Sequence, residues 1–309
     1  MKGRKNMAKK IGLVGIYFPG AYDALHENVP EGFELVDALS PEAYGNLADC
    51  EYLISRLDID PDIINHTPNV KFWQRWGAGF DHVDLKAWGE RGIPIATCPG
   101  VNSGIVAELA IMLMLAGYRN LLQINRQLRA GHWPRTEYFG RSFMIKGKTV
   151  GVLGLGHIGK KVAALATAFG ANVIYYDIVR QTEQEEKFGY RFVDFDTLLR
   201  ESDIYTIHCP LNEETRGMIG AEQFAQMKPT AMLINTARGP IVDEAALIDA
   251  LTTGRIATAG LDTYEREPLP KDHPLLTLDN VVASAHAGGN TKDNDINMEV
   301  AEFQLTSQG

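Results

Sequence analysis

Thr149-Val150-Gly151-Val152-Leu153-Gly154-Leu155-Gly156-His157-Ile158-Gly159 decides the fold of this chain. Thr149–Leu153 is short, apolar and β-branched, which predicts a buried strand. Gly154, Gly156 and Gly159 follow in G-x-G-x-x-G spacing, and a helix is predicted from near Ile158. Each glycine has a physical reason: Gly154 for a tight turn, Gly156 for close approach to a pyrophosphate, and Gly159 for close packing of helix on strand. The helix N-terminus then offers N–H groups and partial positive charge to an anion. A second predicted strand, Val173–Tyr176, runs into Asp177, eighteen residues after Gly159. That is close to the ~20 expected of an acid that binds the ribose hydroxyls of a dinucleotide. Asp177 would repel a 2′-phosphate, so NAD is favoured over NADP. Arg180 nearby is a group able to take that phosphate.

Outward from this stretch, strands and helices alternate. Val150–Leu153, Val173–Tyr176, Arg191–Val193, Ile204–His208, Ala231–Asn235, Thr258–Leu261 and Val281–Ser284 read as strands, with helices such as Lys160–Phe169, Phe195–Arg200 and Glu244–Leu251 between them. The first hundred residues repeat the alternation: strands at Ile11–Ile16, Glu34–Val36, Tyr52–Ser55, Lys71–Trp76 and Ile93–Thr97, with helical patterns at Pro61–His66 and Val83–Arg91. Strand–helix alternation implies parallel sheets covered on both faces. The expected fold is therefore α/β, with two doubly wound parallel-sheet domains: a flavodoxin-like substrate domain of residues 1–101 and 287–309, and a Rossmann NAD-binding domain of 102–286. A long apolar helix, Ile105–Ala130, is expected at a domain or subunit interface, with a hinge at Pro99–Ser103. A last helix is expected over Asn294–Leu305.

Composition narrows the function. The 309 residues suit two domains, and 45% hydrophobic with 22% charged content is ordinary for a globular protein. A net charge of −9 and a pI near 5.4 argue against a nucleic-acid or anionic-membrane surface. Three scattered cysteines, Cys50, Cys98 and Cys209, form no C-x-x-C pair, which argues against a zinc site and suits a reducing, cytoplasmic setting. The basic stretch Met1–Lys10 reads as a solvated tail, and the apolar run Ile105–Ala116 is too short to span a bilayer.

Three residues carry the chemistry. Arg238 lies in Asn235-Thr236-Ala237-Arg238-Gly239, Glu267 in Asp262-Thr263-Tyr264-Glu265-Arg266-Glu267-Pro268, and His286 in Ser284-Ala285-His286-Ala287-Gly288-Gly289. Each sits at or just beyond the carboxyl end of a predicted strand, the edge where parallel sheets bind ligands. An arginine holds a carboxylate with two parallel hydrogen bonds. A histidine backed by a carboxylate donates a proton near neutral pH. Taken singly, each has an ordinary reading: a surface ion pair, a turn residue, a core histidine. Together, at one edge beside a nicotinamide site, they point to hydride transfer onto a 2-keto acid.

The chain resembles the D-isomer-specific 2-hydroxyacid dehydrogenases over nearly its whole length. The resemblance is carried by Gly77-Ala78-Gly79-Phe80-Asp81-His82-Val83-Asp84-Leu85, Arg91-Gly92-Ile93-Pro94, Val106-Ala107-Glu108-Leu109, His208-Cys209-Pro210-Leu211, Glu214-Thr215-Arg216-Gly217, the glycine turn and the three catalytic motifs. It implies that Ala78 and Gly79 bind the substrate carboxylate through backbone N–H groups, and that Arg56 meets the far end of the substrate. It further implies cofactor contacts from His157, Ile158, Asp177, Cys209, Pro210, Thr215, Ala237, Asp262 and Gly288, with Val106 near the nicotinamide. It also points to a homodimer. Ala285 stands where the family usually has proline.

The expected function is NAD-dependent interconversion of a 2-keto acid and a D-2-hydroxy acid, with no nucleic-acid or membrane partner. Arg238 binds the carboxylate, and His286 with Glu267 relays the proton. Three rivals are a formate dehydrogenase, which the chain resembles around Asn102-Ser103 but which typically has glutamine at Glu267, a phosphite dehydrogenase, which shares the three residues, and a corepressor of the same fold, which the acidic pI argues against. The substrate stays open among glyoxylate, hydroxypyruvate, phosphohydroxypyruvate and bulkier keto acids.

Overall fold

Every hydrogen-bonded strand pair in the two sheets is parallel. All strands of one sheet therefore end on the same edge. In the computed structural model, residues 8–292 are described, apart from positions 18, 57, 58, 78 and 82. The chain divides into two units, Met1–Asn102 with Asn290–Gly309, and Ser103–Gly289. The expected helix over Asn294–Leu305 lies outside the described residues.

The first unit holds a five-stranded sheet of β1 (Lys9–Gly15), β2 (Phe33–Ala38), β3 (Tyr52–Arg56), β4 (Phe72–Arg75) and β5 (Ile95–Ala96), in the order β2-β1-β3-β4-β5. This is the flavodoxin-like order that short strand–helix units produce. Two apolar clusters cover its faces. One packs Val14, Leu47, Leu53, Trp73 and Trp88; the other packs Leu13, Leu25, Ile54 and Trp76. Trp73 is buried with its polar end satisfied, since Nε1–H donates to Ser55 Oγ at 2.7 Å. A buried indole needs such a partner.

The second unit holds seven strands: β6 (Thr149–Leu153), β7 (Asn172–Tyr176), β8 (Arg191–Phe192), β9 (Ile204–Ile207), β10 (Met232–Asn235), β11 (Thr258–Leu261) and β12 (Val281–Ala283). Their order is β12-β11-β10-β9-β6-β7-β8, so the chain reverses direction across the sheet beside β6. Such a switch point opens a crevice at the carboxyl edge. One face buries Leu153, Tyr205, Leu233 and Leu261; the other buries Val152, Ile204, Ile234 and the helix Ser103–Tyr118. Successive residues of a strand point to opposite faces, which explains the division.

The single helix expected over Ile105–Ala130 is two, Ser103–Tyr118 and Leu121–Arg129, bent by 63°. The break is at Asn120, whose backbone is left-handed at φ 50°. Asparagine adopts that conformation more readily than most residues. Its side-chain amide also donates to Arg141 O at 3.1 Å and Ser142 Oγ at 3.2 Å. Periodicity alone does not register this turn, because the apolar pattern continues through it. Among the described residues no single helix is long and apolar enough to cross a membrane.

Asn120 supplies a stability test. Asn120→Ala keeps a Cβ in the left-handed region and loses both side-chain hydrogen bonds; Asn120→Gly loses the bonds but relieves the backbone. Urea unfolding is expected to find the alanine variant less stable than the glycine variant by about 1–2 kcal/mol. An alanine variant as stable as the glycine variant would remove the strain from this account.

Candidate active site

Gly154 begins the turn directly after β6. Its backbone is left-handed at φ 90°, and a Cβ there would lie 2.7 Å from Cys209 N. Only glycine fits both demands. A Cβ on Gly159 would lie 2.1 Å from Gly154 O, so glycine there seats the helix His157–Ala168 against the turn. At Gly156, the residue capping that helix, a Cβ would meet nothing within 4 Å. The turn is thus crowded where it packs and open at the helix N-terminus, the fit a pyrophosphate requires. His157 is exposed at the first position of the helix, and Ile158 leans on the core.

Asp177 lies just beyond β7. Its Oδ2 accepts the Leu155 N–H at 2.7 Å and its Oδ1 accepts the Val179 N–H at 3.1 Å. The acid therefore fixes the glycine turn as well as presenting charge beside it. Arg180 is engaged elsewhere. Its Nε and Nη2 donate to the two oxygens of Glu185, at 2.9 and 2.7 Å, and its guanidinium lies over the Phe192 ring. The forked bond from Arg180, aided by the Tyr175 hydroxyl, pulls the Glu185 carboxyl down to about 2.

At the same edge, β9, β10 and β11 end in register. Asn235 pairs with Ile207 and with Leu261, so His208, Thr236 and Asp262 stand side by side just beyond the strands. The His208 ring touches the Thr206 hydroxyl at 2.8 Å through Nε2, and burial pushes its pKa down to about 3. Its Nδ1 and the Thr236 Oγ1 are buried without a hydrogen-bond partner. Orphaned buried polar atoms of this kind call for a water or a ligand. His208 and Thr236 were not among the expected site residues, although both lie inside motifs quoted above, His208-Cys209-Pro210-Leu211 and Asn235-Thr236-Ala237-Arg238-Gly239, at predicted strand ends. Next to His208, burial raises the Cys209 thiol to about 11. Thr215 ties down the following loop, donating to Pro210 O at 2.7 Å.

Asp262 is buried, and both its carboxylate oxygens hold the chain after β12. Oδ1 accepts the Ala287 N–H at 2.8 Å and Oδ2 the Gly288 N–H at 2.9 Å. A Cβ on Gly288 would lie 2.9 Å from Oδ2 and 3.5 Å from Val106, which is buried in the helix Ser103–Tyr118. His286 N also donates to Asp262 O at 2.8 Å, and His286 is left-handed at φ 51°. A non-glycine residue held in that region is a mark of a constrained site.

His286 Nδ1 lies 2.6 Å from Glu267 Oε2, while Glu267 Oε1 accepts the Tyr264 N–H at 3.0 Å. The hydrogen bond that His286 donates to Glu267 raises the His286 pKa above its ordinary value; burial works against this and the Glu267 charge adds to it. Burial alone would push the Glu267 carboxyl up, but the bonds from His286 and the Tyr264 amide, with the charge of Arg238, hold it below the usual range. Arg238 lowers the His286 pKa by its charge. It is half-buried, and its Nη1 donates to Ala237 O at 2.7 Å. Asn235 keeps this turn in shape: its Nδ2 donates to Arg238 O and its Oδ1 accepts the Ala237 N–H. The three catalytic candidates thus gather in the second unit around one imidazole.

In the first unit, Arg56 ends β3 and is buried, not a surface charge. Arg75 Nε donates to Gly79 O at 3.4 Å, holding the loop beyond β4. Ala78 lies outside the described residues.

Asp177 tests the cofactor reading. Asp177→Asn keeps an acceptor for the Leu155 amide but removes the charge. Fluorescence titration is expected to narrow the preference for NADH over NADPH by roughly tenfold, about 1.4 kcal/mol. An unchanged preference would mean that Asp177 does not read the ribose.

Residues 111–288 match the family described as D-isomer specific 2-hydroxyacid dehydrogenase, NAD binding domain. A D-3-phosphoglycerate dehydrogenase of Archaeoglobus fulgidus is 43% identical over 244 residues, covering 79% of this chain and 46% of that one. The chain thus spans about half the length of that relative. A glyoxylate reductase of Aeropyrum pernix is 37% identical over 292 residues, 91% of this chain and 87% of its own. Among solved structures, the NAD-dependent formate dehydrogenase of Staphylococcus aureus in complex with NAD superposes with a TM-score of 0.85 at 28% identity, covering 97% of this chain and 95% of that one. With a glycine turn and an acid that fit NAD, and a family match over more than half its length, the chain belongs to the D-isomer-specific 2-hydroxyacid dehydrogenases and carries their NAD-binding domain.

Proposed function

We propose that the chain interconverts a 2-keto acid and a D-2-hydroxy acid, and that Arg238, Glu267 and His286 carry the reaction. The observation that carries this reading is the 2.6 Å contact between His286 Nδ1 and Glu267 Oε2, under the charge of Arg238. NADH, when bound, supplies the hydride for C2. Arg238 takes the substrate carboxylate in its planar fork and polarises the C2 carbonyl. His286 keeps Nδ1 on Glu267, which leaves Nε2–H to give its proton to the C2 oxygen. Glu267 is held below the usual carboxylate range, so it stays ionised and steadies the imidazolium without taking its proton. Oxidation of the hydroxy acid reverses each step.

The same reading gives cofactor contacts to Gly154, Gly156, His157, Ile158, Gly159, Asp177, Cys209, Pro210, Thr215, Ala237, Asp262 and Gly288, with Val106 near the nicotinamide. It gives substrate contacts to Ala78, Gly79 and Arg56. Glyoxylate and hydroxypyruvate are the substrates we favour: the relatives named for glyoxylate or glyoxylate/hydroxypyruvate reduction match this chain over most of their own length. The formate dehydrogenase likeness supports the fold and the cofactor. Formate oxidation needs no proton relay, whereas a carboxylate–imidazole pair is what keto-acid reduction needs.

We also propose a homodimer built on the second unit. Met112, Leu115, Leu121, Ile124 and Phe169 line one open apolar depression of this unit, where Met112, Leu121 and Phe169 are 52%, 54% and 44% exposed. A contiguous apolar surface of this kind marks an interaction site. Light scattering is expected to give twice the chain mass at assay concentration; a stable monomer would refute the assembly.

The relay is tested by pH. Reduction needs protonated His286, so its kcat/KM should hold past the ordinary imidazole value of ~6.5 and fall as pH rises through the raised one. Oxidation needs the neutral form and should rise over the same range. Glu267→Gln removes the charge with little change of shape, and both inflections should move down towards ~6.5. Inflections that stay in place, or move up, would exclude Glu267 as the partner of His286.

A further inference from the structure

Glu267 stands on a loop without regular structure, and residues 265–268 are exposed. A hydrogen bond of 2.6 Å from such a loop needs a main chain held firmly in place. Part of that hold is steric: a Cβ on Gly239 would lie 1.9 Å from the Tyr264 carbonyl, so the residue after Arg238 is pressed against the loop. Part is the Tyr264 hydroxyl, which donates to Ser284 O at 2.7 Å. The remainder comes from two titratable residues that the relay itself does not use.

Glu244 opens the helix Glu244–Thr252, a few residues past Arg238. Its Oε2 accepts the Glu265 N–H at 3.2 Å, and its Oε1 lies 2.9 Å from His273 Nε2. Both side chains are only 14% exposed. His273 Nδ1 accepts the Leu275 N–H at 3.4 Å, which places the ring proton on Nε2 and directs it at Glu244. Each Glu244 oxygen therefore has one donor, and the Glu265 amide is fixed between the relay and a second carboxylate–imidazole pair.

We propose that Glu244 and His273 are positioning residues for the proton relay, gripping the loop at Glu265 and so setting the distance between Glu267 and His286. This rests on the relay proposed above. The charged groups that bear on His286 are Glu267, Arg238 and Asp262; Glu244 and His273 act on it only through the loop. Attraction between charges falls with their separation, so a loosened loop weakens the hold of Glu267 on the imidazolium.

The experiment compares full-length wild type, Glu244→Ala, Glu244→Gln and His273→Ala. The His286 imidazole is titrated by NMR, its resonance assigned with His286→Asn, and kcat/KM for glyoxylate reduction is measured against pH. In Glu244→Ala the His286 inflection is expected to move towards ~6.5, with kcat/KM falling by up to roughly 100-fold, as displaced catalytic groups do. Glu244→Gln keeps an oxygen acceptor for the Glu265 amide and should recover most of the loss. His273→Ala leaves Glu244 on that amide and should shift the inflection less; it carries the test if Glu244→Ala does not fold. An inflection unmoved in the folded variants overturns the proposal, even if their Tm falls. An NMR inflection that moves while turnover is unaffected supports the positioning and instead sinks the catalytic reading of the relay.

Discussion

The buried carboxylate of Asp262 is the interaction on which the site depends. It is buried just beyond β11, and its two oxygens take the amides of Ala287 and Gly288. Hydrogen bonds to a charged group are worth about 1.5–3 kcal/mol each, and together they offset much of the cost of burying the charge. They also turn the chain as it leaves β12 and hold His286 in a left-handed backbone that a free histidine avoids. Without that turn, the imidazole would have no fixed direction and Glu267 nothing to orient.

Around this anchor the site is built by close approach. Gly288 sits against Asp262, Gly239 against the Tyr264 carbonyl, Gly154 against Cys209 and Gly159 against Gly154. In each case a side chain would collide with backbone or with the anchoring carboxylate. The parallel sheet brings all seven strand ends to one edge, and these glycines let the loops beyond them pack together. Electrostatics follow from the geometry: the Glu267 bond raises His286, the histidine and Arg238 help hold Glu267 ionised, and burial keeps His208 neutral.

Much of this was legible in the sequence. All seven strands of the second unit were expected; those inside the sheet are apolar runs, because a strand buried on both faces announces itself by composition, whereas β8, at the edge, is only Arg191–Phe192 with Arg191 exposed. Arg238, Glu267 and His286 were singled out as candidates from the motifs around them and their place at strand ends, and the fold brings them together around one imidazole. What escaped was set by tertiary context. The break at Asn120 depends on side-chain bonds to residues 141 and 142, with the apolar pattern unbroken through it. Asp262 was expected to face the cofactor; that both its oxygens hold the following loop is a long-range fact with no local trace. Glu244 and His273 look like ordinary helix and loop residues until the fold sets them together.

The central claim, that this edge moves a hydride's partner proton through His286, is tested most directly by a panel of 2-keto acids offered with NADH to wild type and His286→Ala, followed by absorbance in single turnovers. The account predicts NADH consumption by wild type with at least one keto acid, and a rate lower by roughly 10²–10⁴-fold in the variant, the usual contribution of a general acid. No consumption with any keto acid, or a His286→Ala variant as fast as wild type, would contradict it.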